Sequence, residues 1–174
     1  MINRANPTPA TRQSWSSIQP LPAQRAPLAL ERVFSEQEVE AIRLGLIPDR
    51  MEDKWFIFFE EDTLYVHRSW TGYCIYQLRL REDGAQYTVV DAFVNRDPSQ
   101  YSGTDDGYDE RLLLFLVENF LLGRRYRLPM AANVPAGIVT ELYHHHIIGA
   151  GPKAEATPER KSKRGWLWRW LTRG

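Results

Sequence analysis

Four stretches along the middle of the chain, residues 54–60, 63–69, 74–81 and 86–95, are rich in strand-forming apolar and aromatic residues. The third also alternates: Cys74, Tyr76, Leu78 and Leu80 interleave with Gln77, Arg79 and Arg81, as in a strand with one buried and one wet face. Glu82-Asp83-Gly84 supplies a turn into the fourth stretch, which stops at Asn95-Arg96-Asp97-Pro98. Before these strands, Ser35-Glu36-Gln37-Glu38 is a capping box. It is followed by Val39, Ile42 and Leu46 at helical spacing and ended by Gly45 and Pro48. After them, residues 109–122 read as a helix closed by Gly123. Its unbroken apolar run at 112–117 suits a core helix lying across the sheet, with Glu110, Arg111, Glu118 and Asn119 toward solvent. Residues 133–148 are expected to form a C-terminal helix, which Gly137 weakens. Strands followed by helices predict an α+β fold with an antiparallel sheet of about four strands packed by one apolar helix.

The flanks differ from this body. Residues 1–27 are rich in Pro, Ser, Gln and Ala without periodicity and are expected to be a disordered arm, leaving residues 28–150 as a single domain and 151–174 as linker and tail. The zero net charge hides an asymmetry, because residues 160–174 carry +6 with no acid and residues 1–159 therefore carry −6. A lone cysteine, Cys74, excludes an intrachain disulfide framework and fits a reducing compartment. The prolines near the N-terminus break any signal-peptide core, and no apolar run is long enough to span a bilayer. A cytoplasmic protein is expected, reaching the inner face of a membrane only peripherally.

Reactive and binding side chains concentrate at strand ends. Arg68 suits a phosphate or carboxylate and Trp70 suits stacking on a base or ribose. With Lys54 and Arg96 they form the expected ligand-binding set. The bland alternative is that Arg68 pairs with Asp53 or Glu60. On a strand, His67 and Ser69 face one way and Arg68 and Trp70 the other, so one pocket cannot take all four. A Ser69–His67 nucleophile lacks hydrogen-bond reach and an orienting carboxylate. Cys74, inside a buried strand, reads as a small hydrophobe. The acids around Asp105 and Asp106 precede a helix, where the macrodipole already favours them. His144, His145 and His146 fan apart on a helix and do not converge on one ion, so no metal site is assigned. In the tail, Trp166, Leu167, Trp168, Arg169, Trp170 and Leu171 join aromatic and cationic character, as expected of reversible docking on anionic lipid.

The strings Met51-Glu52-Asp53-Lys54-Trp55-Phe56, His67-Arg68-Ser69-Trp70-Thr71-Gly72 and Cys74-Ile75-Tyr76 resemble an uncharacterised family of small bacterial proteins associated with genes for ADP-ribose hydrolysis. The resemblance covers about residues 35–123 and leaves out the arm and the tail. It implies a bacterial cytosolic origin and an ADP-ribose or nucleotide ligand. Three functions then stand. The first is a binding module for an anionic, nucleotide-like small molecule or a protein partner. The second is a hydrolase of ADP-ribose or a phosphate ester, using His67 as acid or base with Asp105 or Asp106. The third is an immunity or adaptor protein whose acidic body meets a basic partner. Nucleic acid ranks behind these partners, and the sequence assigns no cofactor.

Overall fold

The capping box at Ser35 forms as the sequence dictates. In the computed structural model, which describes residues 8–50, 52–131 and 145–149, Glu38 N donates to Ser35 Oγ and Ser35 N donates to Glu38 Oε2 at 2.8 Å. Helix α1, Glu36–Leu44, follows, burying Val39 and Ile42, and Gly45 ends it at φ +66°. The strands are β1 (Arg25–Pro27), β2 (Val33–Ser35), β3 (Trp55–Glu60), β4 (Thr63–Arg68), β5 (Cys74–Asp83) and β6 (Gln86–Asn95).

All six belong to one antiparallel sheet, larger than the four strands expected. The order is β1-β6-β5-β4-β3, with β2 also on β6. β1 pairs with one end of β6 and β2 with the other. Each spans three residues, too few to show an alternation, and Pro27 is tolerated because β1 is an edge.

One sheet face carries the main core. Trp55, Ile57, Val66, Tyr76, Leu78 and Val94 pack with Val39 and Ile42 of α1 and with Leu112, Leu113 and Leu116 of α2, Asp106–Leu116. Asp105 is the N-cap of α2, its side chain accepting from Tyr108 N at 2.9 Å. The helix begins three residues before the expected start and runs on as a π-helical turn, Val117–Leu121. The wider turn changes which side chains face inward. Glu118, expected in solvent, is buried there and pairs with Arg32 at 3.0 Å and with Arg124.

The other face is covered at β3 and β4 by the segment expected to be a disordered arm. Residues 8–27 run across it, with a 3-10 turn at Arg12–Ser14, and pack Ala10, Trp15 and Ile18 on Phe56 and Phe58. Both phenylalanines are fully buried, which explains why β3 is apolar on both faces. Residues 1–7, most of the expected C-terminal helix, the linker and the tail lie outside the described residues. Within that helix, His145 to Ile148 form a helical turn.

Candidate functional site

Arg68 ends β4 on the helix-packed face, opposite Trp55 in the register. Its guanidinium lies 4.1 Å from the centre of the Trp55 ring, and Trp55 Nε1 donates to Ile147 O at 2.9 Å. Among the described residues the one hydrogen bond of the Arg68 side chain is a long one, from Nη1 to Ile147 O at 3.4 Å. Neither acid that would have neutralised it is available. Asp53 accepts from Asp49 N and Arg50 N, and Glu60 is bound by Arg12 at 2.6 Å. Among the described residues no carboxylate comes within ion-pair distance of Arg68. Desolvation lowers the Arg68 pKa, with Tyr76, Tyr101 and Tyr108 as its electrostatic neighbours. Arginine stays cationic in any protein environment, so a half-buried and unneutralised guanidinium favours an incoming anion.

Near the same tyrosines sits a buried acid. Asp109, with no exposed surface, accepts at Oδ1 from Tyr76 OH (2.7 Å) and Tyr101 OH (2.5 Å). Its Oδ2 lies 2.7 Å from Arg96 Nη1. That contact is an ion pair without a well-angled hydrogen bond, since Nη1 donates to Gly103 O at 3.0 Å. Arg96 also binds Asp106, and burial, which alone would lower its pKa, is outweighed by these two acids. Arg96, expected to hold ligand, is therefore a strut between β6 and α2. Burial also raises the Tyr76 and Tyr101 pKa, with Asp109 adding to it, so both remain neutral hydroxyl donors.

The remaining candidates divide between two places. Lys54 Nζ stands 4.4 Å over the ring of Trp70, which is 66% exposed, and Ser69 N donates to Lys54 O, so these two sit together at the β3–β4 end. His67 lies on the opposite sheet face, stacked on Phe58 at 5.6 Å, with Nδ1 2.8 Å from Gly72 O. Ser69 Oγ donates to Asp53 O at 2.6 Å and does not engage His67. Asp105 caps α2 and Asp106 binds Arg96, so His67, Asp105 and Asp106 do not converge. Cys74 is buried and its thiol is pushed up to about 12 by desolvation, which keeps it a thiol. His145 and His146 are exposed, while His144 and the tail residues Trp166 to Leu171 lie outside the described residues. Among the described residues no group of three His, Cys, Asp or Glu could hold a metal ion.

His67 gives the first prediction. Desolvation lowers its pKa from 6.5, outweighing the raising effect of Gly72 O, with the Arg12 charge lowering it further. The unfolded chain therefore binds this proton before the folded one does. Stability is full above pH 6.5 and declines as pH falls from there toward the folded-state pKa. The slope stays below about 1.4 kcal/mol per pH unit, the limit for one proton. Urea unfolding between about pH 7 and 5.5 should show this slope in the natural chain and lose it in His67→Phe.

Sequence reasoning missed Asp109 and the tyrosines. Asp109 reads as another acid at a helix start, and nothing local signals that the helix begins earlier and turns it inward. No family model, no curated protein and no solved structure matches the chain.

Proposed function

We propose that the domain is a binding module for a small anionic ligand of the nucleotide or ADP-ribose class, with Arg68 as its charge anchor. The observation that carries this reading is the half-buried Arg68 guanidinium on Trp55, with no carboxylate partner among the described residues. Trp70, exposed and two residues along from Arg68, and the half-buried Lys54 over its ring supply an aromatic face and a second cation. The hydrolase reading needs His67 and Asp105 or Asp106 at one substrate. It loses support from their separation, and from the engagement of Asp105 as the cap of α2 and of Asp106 by Arg96. On sequence alone, the Trp-rich tail completes the proposal as a reversible contact with anionic membrane. Among the described residues no helix is long and apolar enough to cross one.

Thermal-shift measurement of the full chain with ADP-ribose, ADP and inorganic pyrophosphate tests the anchor. A ligand at 100 times its dissociation constant stabilises by about 2.7 kcal/mol, and Arg68→Ala should abolish that shift. Stabilisation that persists in Arg68→Ala, or none from any of the three anions, overturns the reading.

A further inference from the structure

A second cleft lies along the flank of α2 and its π-helical turn that carries Arg111, Leu114, Phe115 and Glu118, positions three and four apart that share one stripe. Its other wall is the chain at 126–129, and this wall is fastened to the helix. Asn119 Nδ2 donates to Tyr126 O at 2.9 Å and Asn119 Oδ1 accepts from Tyr126 N at 3.0 Å. The cleft is an open groove of about 490 Å³, within the size range of small-molecule sites.

Leu114, Phe115, Leu128 and Pro129 make the lining mainly apolar. The polar groups are unevenly matched. Glu118 is already neutralised by Arg32 and Arg124. Arg111 and Arg127, both exposed at the cleft, have no acid partner among the described residues. An apolar floor bordered by two open guanidinium groups is complementary to one apolar chain ending in one anionic head. An uncharged hydrocarbon leaves the arginines unused, and a small hydrophilic anion leaves the floor wet. We propose that this cleft binds a free long-chain carboxylate, its chain on Leu114, Phe115 and Leu128 and its head between Arg111 and Arg127. Two walls joined through Asn119 make a slot for a single chain rather than a flat face for a bilayer. The cleft has no residue in common with the Arg68 site, so either proposal can fail without the other.

The test is isothermal titration of the full chain with dodecanoate below its micelle concentration. Dodecanol serves as the uncharged control, acetate as the chainless one, and dodecanoate held in phosphatidylcholine vesicles as the membrane source. The expected result is saturable 1:1 binding of free dodecanoate that weakens at least about tenfold for dodecanol and for Arg111→Ala/Arg127→Ala. Arg68→Ala should leave it unchanged. Both arginines are on the surface, so the double variant keeps its fold, and Leu114→Glu, which places an acid on the floor, should weaken binding as much. Equal affinity for dodecanol, unchanged affinity in the arginine variant, a stoichiometry of several chains, or binding seen only with vesicles each overturns the proposal.

Discussion

Replacing Gly72 by alanine is expected to lift the N-terminal segment off the sheet, at a cost of about 3 to 6 kcal/mol. Gly72 has φ +72°, a region that costs an L-residue about 1–2 kcal/mol. A Cβ there would also overlap the Ser17 carbonyl group, which is backbone and cannot turn away. Yielding moves Ser17 and with it the hydrogen bond from Gln19 N to Gly72 O at 2.9 Å. Release of the segment is the chain's escape from this strain, and it sets the ceiling. It uncovers Phe56 and Phe58, each worth about 1.5–3 kcal/mol when buried. Gly84→Ala is the control, because Gly84 has φ +64° but open space around it, so it pays only the backbone term. Urea unfolding gives the difference between the two variants. Trp15 reports the mechanism, since it stacks on Phe56 at 5.7 Å and donates from Nε1 to Ser69 O at 2.8 Å. Equal loss in the two variants, with Trp15 emission and proteolytic protection unchanged in Gly72→Ala, would show that Ser17 accommodates the methyl group.

The same segment shows what a sequence pattern conveys and what it does not. The hairpin of β5 and β6 was legible because its two strands are long, β5 alternates from Tyr76 to Arg81 and the two meet at Gly84, so periodicity and turn chemistry agree. The cap of α1 was legible because all its atoms come from four consecutive residues. Residues 8–27 bury only isolated apolar side chains, and Ala10, Trp15 and Ile18 do so through contacts with a strand some forty residues away, which no local window encodes. Arg68 was legible as a candidate from its place at a strand end. That neither Asp53 nor Glu60 pairs with it depends on where those two acids turn, and that is a tertiary fact. Glu118 reads as a solvent-facing acid and Asp109 as one more acid at a helix start, and both are buried because cations from other elements meet them there.

Asp109→Ala should destabilise the fold by about 3–5 kcal/mol, the range for removing one partner from a buried ion pair. The carboxylate has no exposed surface and joins three elements through Tyr76 on β5, Arg96 beyond β6 and Tyr101 in the loop before α2. Its removal leaves two buried hydroxyls without their acceptor, each costing about 1–3 kcal/mol when nothing replaces it. Two effects pull the total toward the lower end of the range. Tyr76 OH and Tyr101 OH are 3.3 Å apart and can bond each other, and Arg96 keeps Asp106 and Gly103 O. Asp109→Asn separates charge from shape, since its carbonyl oxygen still accepts from the tyrosines while its amide presents N–H to Arg96. Its loss should fall between those of Tyr101→Phe, about 1 kcal/mol for one hydrogen bond, and Asp109→Ala. Urea unfolding of the three variants at pH 7 gives that order. An alanine variant no worse than Tyr101→Phe would mean that Arg96 draws its stability from Asp106 alone, and that the acid is not the centre of this end of the sheet. If the order holds, any anion bound at Arg68 under the proposed function should bind more weakly in Asp109→Ala, because Asp109 orients Tyr76 and Tyr101, two of the hydroxyl groups in the electrostatic surroundings of that guanidinium.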